Sequence, residues 1–194
     1  MKDISRFSAI LTLVALITTR SLAWVNKITK PKIIAQQENG LVEALSSVLP
    51  GCSEGEIIPT KENGQILYYE GYRDKEHTLL IGYAFLAEGK GYSSTIRTLV
   101  GIDTSFTIYA IKILSQQETP GLGSLCEEVQ SGESKPWWQA QFTGKTAKGI
   151  AVDKDKGDIE SITGATITSR AIVNSIADCV NRLFEKQKLN DANE

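Results

Sequence analysis

Apolar positions change character several times along this chain. The segment FSAILTLVALITT, Phe7 to Thr19, carries no charge, and after Arg20 apolar character resumes through Leu22, Ala23, Trp24 and Val25. Such a run approaches the ~20 residues that cross a bilayer, so a transmembrane anchor is predicted over 7–25. Arg20 can snorkel from near its end, and Trp24 suits the interface. Farther on, Leu41, Val42, Leu45, Val48 and Leu49 share one helical face, and Pro50-Gly51 ends that helix. From Gln65 the period shortens. QILYYEGYR, HTLLIGYAFLA, TIRTLVGID and FTIYAIKIL are strand-like, and turns as short as Asp103-Thr104-Ser105 predict an antiparallel meander. A short helix over GSLCEEVQS and a strand over GIAVDK follow. Ile172, Val173, Ile176, Ala177, Val180, Leu183 and Phe184 then recur at three and four, predicting a last helix with one buried side. Lys186 to Glu194 read as a solvated tail.

These elements divide the chain into a cytoplasmic N-terminus (1–6), the anchor (7–25), a basic linker containing Pro31 (26–40), one domain (41–186) and a polar tail (187–194). A cleaved signal peptide is the rival reading of the first segment, because Ser21-Leu22-Ala23 has the small-x-small form of a cleavage site. The anchor is preferred, and either reading puts the domain outside the cytoplasm. Charge does not orient the span, since Lys2 and Arg6 precede it while Lys27, Lys30 and Lys32 follow.

Length and charge narrow the partners. The 194 residues hold one domain with a real core plus an appendage, and a net charge of −2 without a basic cluster makes nucleic acid an unsuitable partner. Cys52, Cys126 and Cys179 lie far apart with no C-x-x-C pair, so neither a zinc nor an iron–sulfur site is expected. The single histidine, His77, falls in a predicted strand and reads as structural or solvent-facing. Tyr68, Tyr69, Tyr72, Tyr83 and Tyr92 read as sheet packing.

Candidate chemistry concentrates in two stretches. SITGATITSRAIVN, Ser161 to Asn174, puts small and hydroxyl residues at the start of the last helix. A helix start exposes unpaired N–H groups and a partial positive charge, which suit a phosphate, although Ser and Thr are also ordinary N-caps. QQETPGLG, Gln116 to Gly123, is a loop shaped by Pro120, Gly121 and Gly123 that can present backbone N–H groups and Leu122 to a flat ring; a plain tight turn is the alternative. Pro136-Trp137-Trp138, followed by Phe142, Gly144 and Lys145, could cover a cofactor or an inter-subunit face, but large aromatics more often complete a core.

Taken together, GYSSTIRTLVGID…ETPGLG and SITGATITS resemble the FMN-binding domain shared by the Rnf complex G subunit and the C subunit of the sodium-translocating NADH:quinone reductase. The likeness covers most of the chain, including the anchor followed by KITKPKIIAQQ, and is stronger to the shorter Rnf protein. It implies an α+β fold: one N-terminal transmembrane helix, then a single FMN-binding domain with a mostly antiparallel sheet flanked by helices. It also implies FMN attached covalently through its phosphate to Thr166. Thr163, Gly164 and Ala165 would complete the attachment motif, and Thr168 matches a cofactor-binding threonine just beyond the attachment site. Glu118, Thr119, Pro120, Gly121, Leu122 and Gly123 would contact the flavin ring, with Lys145 a further cofactor residue. Two positions depart from the family pattern: Glu160, where Asp is usual, and Gln116, where His is frequent.

A threonine hydroxyl is a weak nucleophile without a base, and the sequence shows none beside Thr166. The resemblance therefore implies a separate Mg-dependent flavin transferase that uses FAD. No catalytic residue and no metal ligand is expected on the chain itself. The implied function is an electron-carrying redox subunit of an ion-translocating ferredoxin:NAD oxidoreductase of Rnf type, in contact with other membrane subunits and lipid. Its soluble domain is expected on the periplasmic side of the cytoplasmic membrane. A non-covalent flavin receptor and an unliganded structural subunit are the alternatives.

Overall fold

A computed structural model describes residues 2–52, 57–62 and 64–191. Helix α1 runs Lys2–Val48, and the chain divides into two units, Met1–Leu41 and Val42–Glu194. In the first unit, Arg6–Lys30 is long and apolar enough to cross a membrane. Phe7, Leu11, Leu22 and Trp24 all point outward there, the distribution of a helix that is apolar all round. Thr12 and Thr19 donate their hydroxyls to the carbonyls of Ser8 (2.9 Å) and Ala15 (2.7 Å), so these polar groups are satisfied inside the helix. The stretch 26–40, expected as a linker, is helical as well.

The second unit is built on five antiparallel strands in the order of the chain: β1 Ile57–Glu62, β2 Gln65–Tyr72, β3 Leu80–Lys90, β4 Thr95–Asp103 and β5 Ile108–Ser115. The predicted meander and α+β class are thus observed. Strand β4 is covered on both faces, which is why TIRTLVGID reads as a nearly continuous apolar run. Ile96, Val100 and Ile102 join the main core with Ile172, Val173 and Ile176 of the last helix, α3 (Thr166–Asp191). On the other face Val48 lies over Gly101, where an added Cβ would come within 2.0 Å of the Val48 carbonyl oxygen. Gly89 plays the same part for α3, since a Cβ there would sit 2.1 Å from the carbonyl oxygen of Ala171. That close approach sets the first turns of α3 beside the end of β3.

Several predicted elements are corrected. Strand β1 has no clear signal in the sequence, because IIPTKE contains Pro59 and charged residues; it is an edge strand, where a missing donor is tolerated. His77 lies outside any strand, in a loop with φ 56°. The Asp74 carboxylate accepts the N–H groups of Thr78 (3.0 Å) and Leu79 (2.7 Å) and the Thr78 hydroxyl, folding 74–79 onto itself and delaying β3 to Leu80. Asp103 likewise receives Ser105 and Thr107 N–H groups, so Phe106 belongs to a turn.

GIAVDK is no strand. Val152 makes only an isolated bridge to Ile159, and Asp153–Asp155 is a 3-10 turn, because the chain doubles back at Gly157. GSLCEEVQS contains a 3-10 turn, Gly123–Glu127, and helix α2 is the single turn Trp137–Ala140. The predicted tail is helical through Asp191; residues 192–194 lie outside the described residues.

Candidate functional site

The start of α3 is not capped as Ser and Thr content predicts. Ile162 to Ala165 form a tight turn closed by the Ala165 N–H on the Ile162 carbonyl (2.9 Å), with Gly164 at φ 77° in the third position. The residue just before the helix is therefore Ala165, a methyl group where a capping oxygen would stand. Among the described residues no side chain accepts from the N–H groups of Thr166, Ile167 or Thr168. Thr163 and Gly164 are exposed, Thr166 is half-buried, and Thr168 and Ser169 are buried. The hydroxyls of this stretch thus divide into outward and inward sets, one of which remains available at the surface.

The inward set meets the other motif. The Thr168 hydroxyl donates to Oε2 of Glu118 at 2.6 Å. The same carboxylate accepts the backbone N–H groups of Tyr92 (3.0 Å), Ser93 (3.0 Å) and Ser94 (2.9 Å) and the Ser94 hydroxyl (3.0 Å). Burial by itself raises the Glu118 pKa, but the bonds from Thr168, Tyr92, Ser93 and Ser94 outweigh it and bring it down to about 2. Two glycines clear the space: a Cβ on Gly91 would lie 2.6 Å from Glu118 Oε1, and one on Gly123 would lie 2.7 Å from Thr168 Oγ1.

Around this pair opens a cavity of about 590 Å³, lined by Tyr92, Glu118, Thr119, Leu122, Gly123 and the stretch Gly164 to Thr168. Its size falls within the range of small-molecule sites. Apolar and aromatic surface lies at the mouth, where Tyr92 is 73%, Ile167 54% and Leu122 41% exposed. Exposed large apolar side chains gathered at one cleft are the feature that calls for a ligand. Leu122 reaches across to Gly164, where an added Cβ would meet its Cδ2 at 3.0 Å.

Of the residues singled out from sequence, Glu118, Thr119, Leu122, Gly123, Gly164, Ala165, Thr166 and Thr168 come together here. Pro120 and Gly121 shape the loop from outside, Gly121 with φ 73°, and Thr163 sits exposed in the turn before α3. Lys145 does not line the cavity. Its carbonyl accepts the Ile108 N–H at the start of β5, the end opposite the loop that follows Ser115. Trp138 is fully buried against Phe142 and donates its Nε1–H to the Glu160 carbonyl at 2.8 Å, so the tryptophan reading resolves to core.

Two lining residues went unread. Tyr92, assigned to sheet packing, stands in the turn between β3 and β4; its placement between Gly91 and two serines was the available signal. Ile167 lies off the apolar stripe of α3 and between two threonines, which marks it as outward-facing.

Comparison with known proteins bears on both units. Residues 91–181 match the FMN-binding domain family, and residues 1–48 match the RnfG N-terminal region. The G subunit of the ion-translocating oxidoreductase complex of Aliivibrio fischeri strain MJ11 is 31% identical over 198 residues, covering 93% of this chain and 90% of that protein. The chain belongs to the family of Rnf-type G subunits. Within it, the G subunit from Methanosarcina acetivorans is 26% identical over 186 residues, covering 93% of this chain and 94% of its own. The G subunit of the Na(+)-translocating ferredoxin:NAD(+) oxidoreductase complex of Acetobacterium woodii is 28% identical, covering 90% and 89%. The crystal structure of Shewanella oneidensis NqrC overlaps 57% of this chain and 52% of its own at 24% identity, with a TM-score of 0.42. The resemblance drawn from the two motifs is borne out, and both motifs fall inside the FMN-binding domain of this Rnf-type protein.

Proposed function

We propose that this chain carries FMN on the Thr166 hydroxyl and relays electrons within a membrane-bound, ion-translocating oxidoreductase complex of Rnf type. The observation that carries the reading is the cavity in which Thr166, an uncapped helix start and the Glu118 to Gly123 loop meet. A phosphate ester on Thr166 would lie at the N–H groups of Thr166, Ile167 and Thr168, where the helix field favours negative charge. Tyr92, Leu122 and Ile167 would flank the ring. Bound there, the flavin supplies the electron-transfer chemistry, and the protein positions it.

Glu118 is the one carboxylate among the residues lining the cavity, and its oxygens already accept five hydrogen bonds. With its pKa near 2 it is a poor base. This supports attachment by a separate transferase: the Thr166 oxygen takes the FMN half of FAD, the phosphoanhydride bond breaks, AMP leaves, and the hydroxyl proton passes to the transferase. The Arg6–Lys30 helix would hold the chain in the cytoplasmic membrane among lipid and partner subunits, with the domain on the extracytoplasmic side.

The test is the intact mass of the chain produced with a flavin transferase. A mass increment of one FMN less one water, lost in Thr166→Ala together with in-gel flavin fluorescence, is expected. Flavin that leaves on denaturation would replace this reading with a non-covalent receptor.

A further inference from the structure

Two separate segments converge on the Glu118 carboxylate, the turn at Tyr92 to Ser94 and α3 through Thr168, and both are thereby tied to the loop that carries Glu118 and leads to Leu122. It is 6% exposed, and Thr168 is 1% exposed. We infer that Glu118, acting through Thr168, is the positioning residue of the flavin site, and that it sets the ring wall against the helix start instead of contacting the ring. The inference rests on the proposed flavin reading of this cavity.

The geometry argues for a tie in preference to a contact. Five donors converge on two oxygens, so the carboxylate has little capacity for a further ligand bond. What it holds is what the cavity needs placed. The bond from the Tyr92 N–H fixes the backbone carrying the most exposed aromatic of the site. The bond from Thr168 fixes the helix two residues beyond Thr166. Leu122 follows Glu118 by four residues in a loop pinned at its base, where the Glu118 N–H donates to Gln116 Oε1 (2.7 Å) and the Gln117 N–H donates to Ser94 Oγ (2.8 Å).

Gly91 and Gly123 complete the arrangement. Either Cβ would enter the volume around the Glu118–Thr168 pair. A loop that served only as a turn would not require glycine against a carboxylate on one side and a threonine hydroxyl on the other. Charge matters too, because hydrogen bonds to a buried ionised group are stronger than neutral ones and restrain their donors more tightly.

The experiment uses the full-length chain, produced with a flavin transferase, as wild type and as Thr168→Val, Thr168→Ser and Glu118→Gln. Covalent loading is read from flavin absorbance after denaturation. Ring placement is read from the induced visible circular dichroism and the fluorescence anisotropy of the flavin in the folded protein. Thr168→Val keeps the side-chain shape and removes the donor. It is expected to lower the induced signal at least twofold and to reduce anisotropy, while Thr168→Ser stays near wild type. Glu118→Gln is expected to lose at least as much as Thr168→Val.

A Thr168→Val protein with wild-type dichroism and anisotropy overturns the inference, even if its melting temperature falls, since the pair would then be structural only. A Thr168→Ser protein that matches the valine variant also overturns it, because the hydrogen bond would not be the agent. If Glu118→Gln does not fold, the valine and serine pair decides alone. Absence of flavin from the wild type itself would instead refute the proposed function.

Discussion

Ser169 Oγ accepts the N–H of Ile162 at 3.0 Å and donates to the Ala165 carbonyl at 3.1 Å, so the turn before α3 is held from inside the helix that follows it. Ser169 is fully buried, and the bond to Ile162 substitutes for an N-cap while leaving the first helical N–H groups unoccupied. Replacing Ser169 by Ala strands a buried donor and is expected to cost about 1–3 kcal/mol, read from urea unfolding. A loss below a few tenths of a kcal/mol would show that the turn holds itself.

Glycine at position 89 allows α3 to lie against β3. In Gly89→Ala the new methyl meets the Ala171 backbone, and overpacking of this kind costs about 1–3 kcal/mol. The melting temperature should fall, and proteolysis near 161–170 should quicken because the helix start shifts. An unchanged melting temperature would mean that α3 is placed by other contacts.

Stability should depend on pH through Glu118. Its folded pKa of about 2 lies below the ordinary value of 4.5, so the contribution is fully present above about pH 4.5 and is lost as pH falls toward 2. Asp74, whose pKa hydrogen bonds from Thr78 pull down to about 2, titrates in the same window, so the comparison must be made between variants. Glu118→Gln is expected to be less stable than wild type at pH 7, with the gap narrowing between pH 4.5 and 2. A gap that does not vary with pH would refute an ionised Glu118.

Trp138 ties the segment ahead of the helix start to the core through the Glu160 carbonyl. Trp138→Phe removes that donor and leaves a void beside Phe142, at an expected cost of about 2 kcal/mol. Gln141 still reaches the Glu160 carbonyl at 3.3 Å and accepts the Glu160 N–H at 2.8 Å, so the fold should survive. Denaturant midpoints of the two proteins check this.

Tyr92 offers a test of the cavity mouth. Its side chain is exposed, so Tyr92→Ala should leave the unfolding midpoint within about 0.5 kcal/mol of wild type. In the flavin-loaded chain it is expected to raise flavin fluorescence, because an aromatic neighbour quenches it. Identical fluorescence yields would remove Tyr92 from the ring wall.

Much of this fold is legible because local periodicity is strong. Strands β2 and β4 follow from their β-branched, aromatic and apolar runs and the buried face of α3 from three-four spacing, and Pro50-Gly51 marks the end of α1. The misread elements are those in which a side chain overrides propensity. Asp74 and Asp103 pull neighbouring N–H groups into loops that HTLL and FTIY would otherwise enter as strands, and Pro59 disguises an edge strand. The 151–159 segment has β-branched residues but no neighbouring strand to pair with, so it closes on itself.

The sequence by itself marked out the two stretches that line the cavity, because a glycine-rich loop and a small-residue helix start have constraints of their own wherever they stand. It could not assign roles within them. Glu118 read as a ring contact, and only the folded chain shows its oxygens occupied by donors from residues 24–26 positions before it and from Thr168, 50 positions after it. Likewise Tyr92 differs from Tyr69 by facing the cavity instead of the core, a choice made by where the β3–β4 turn falls. Local preference acts over a few residues, whereas the orientation of a buried carboxylate depends on which donors the tertiary packing brings within about 3 Å of it.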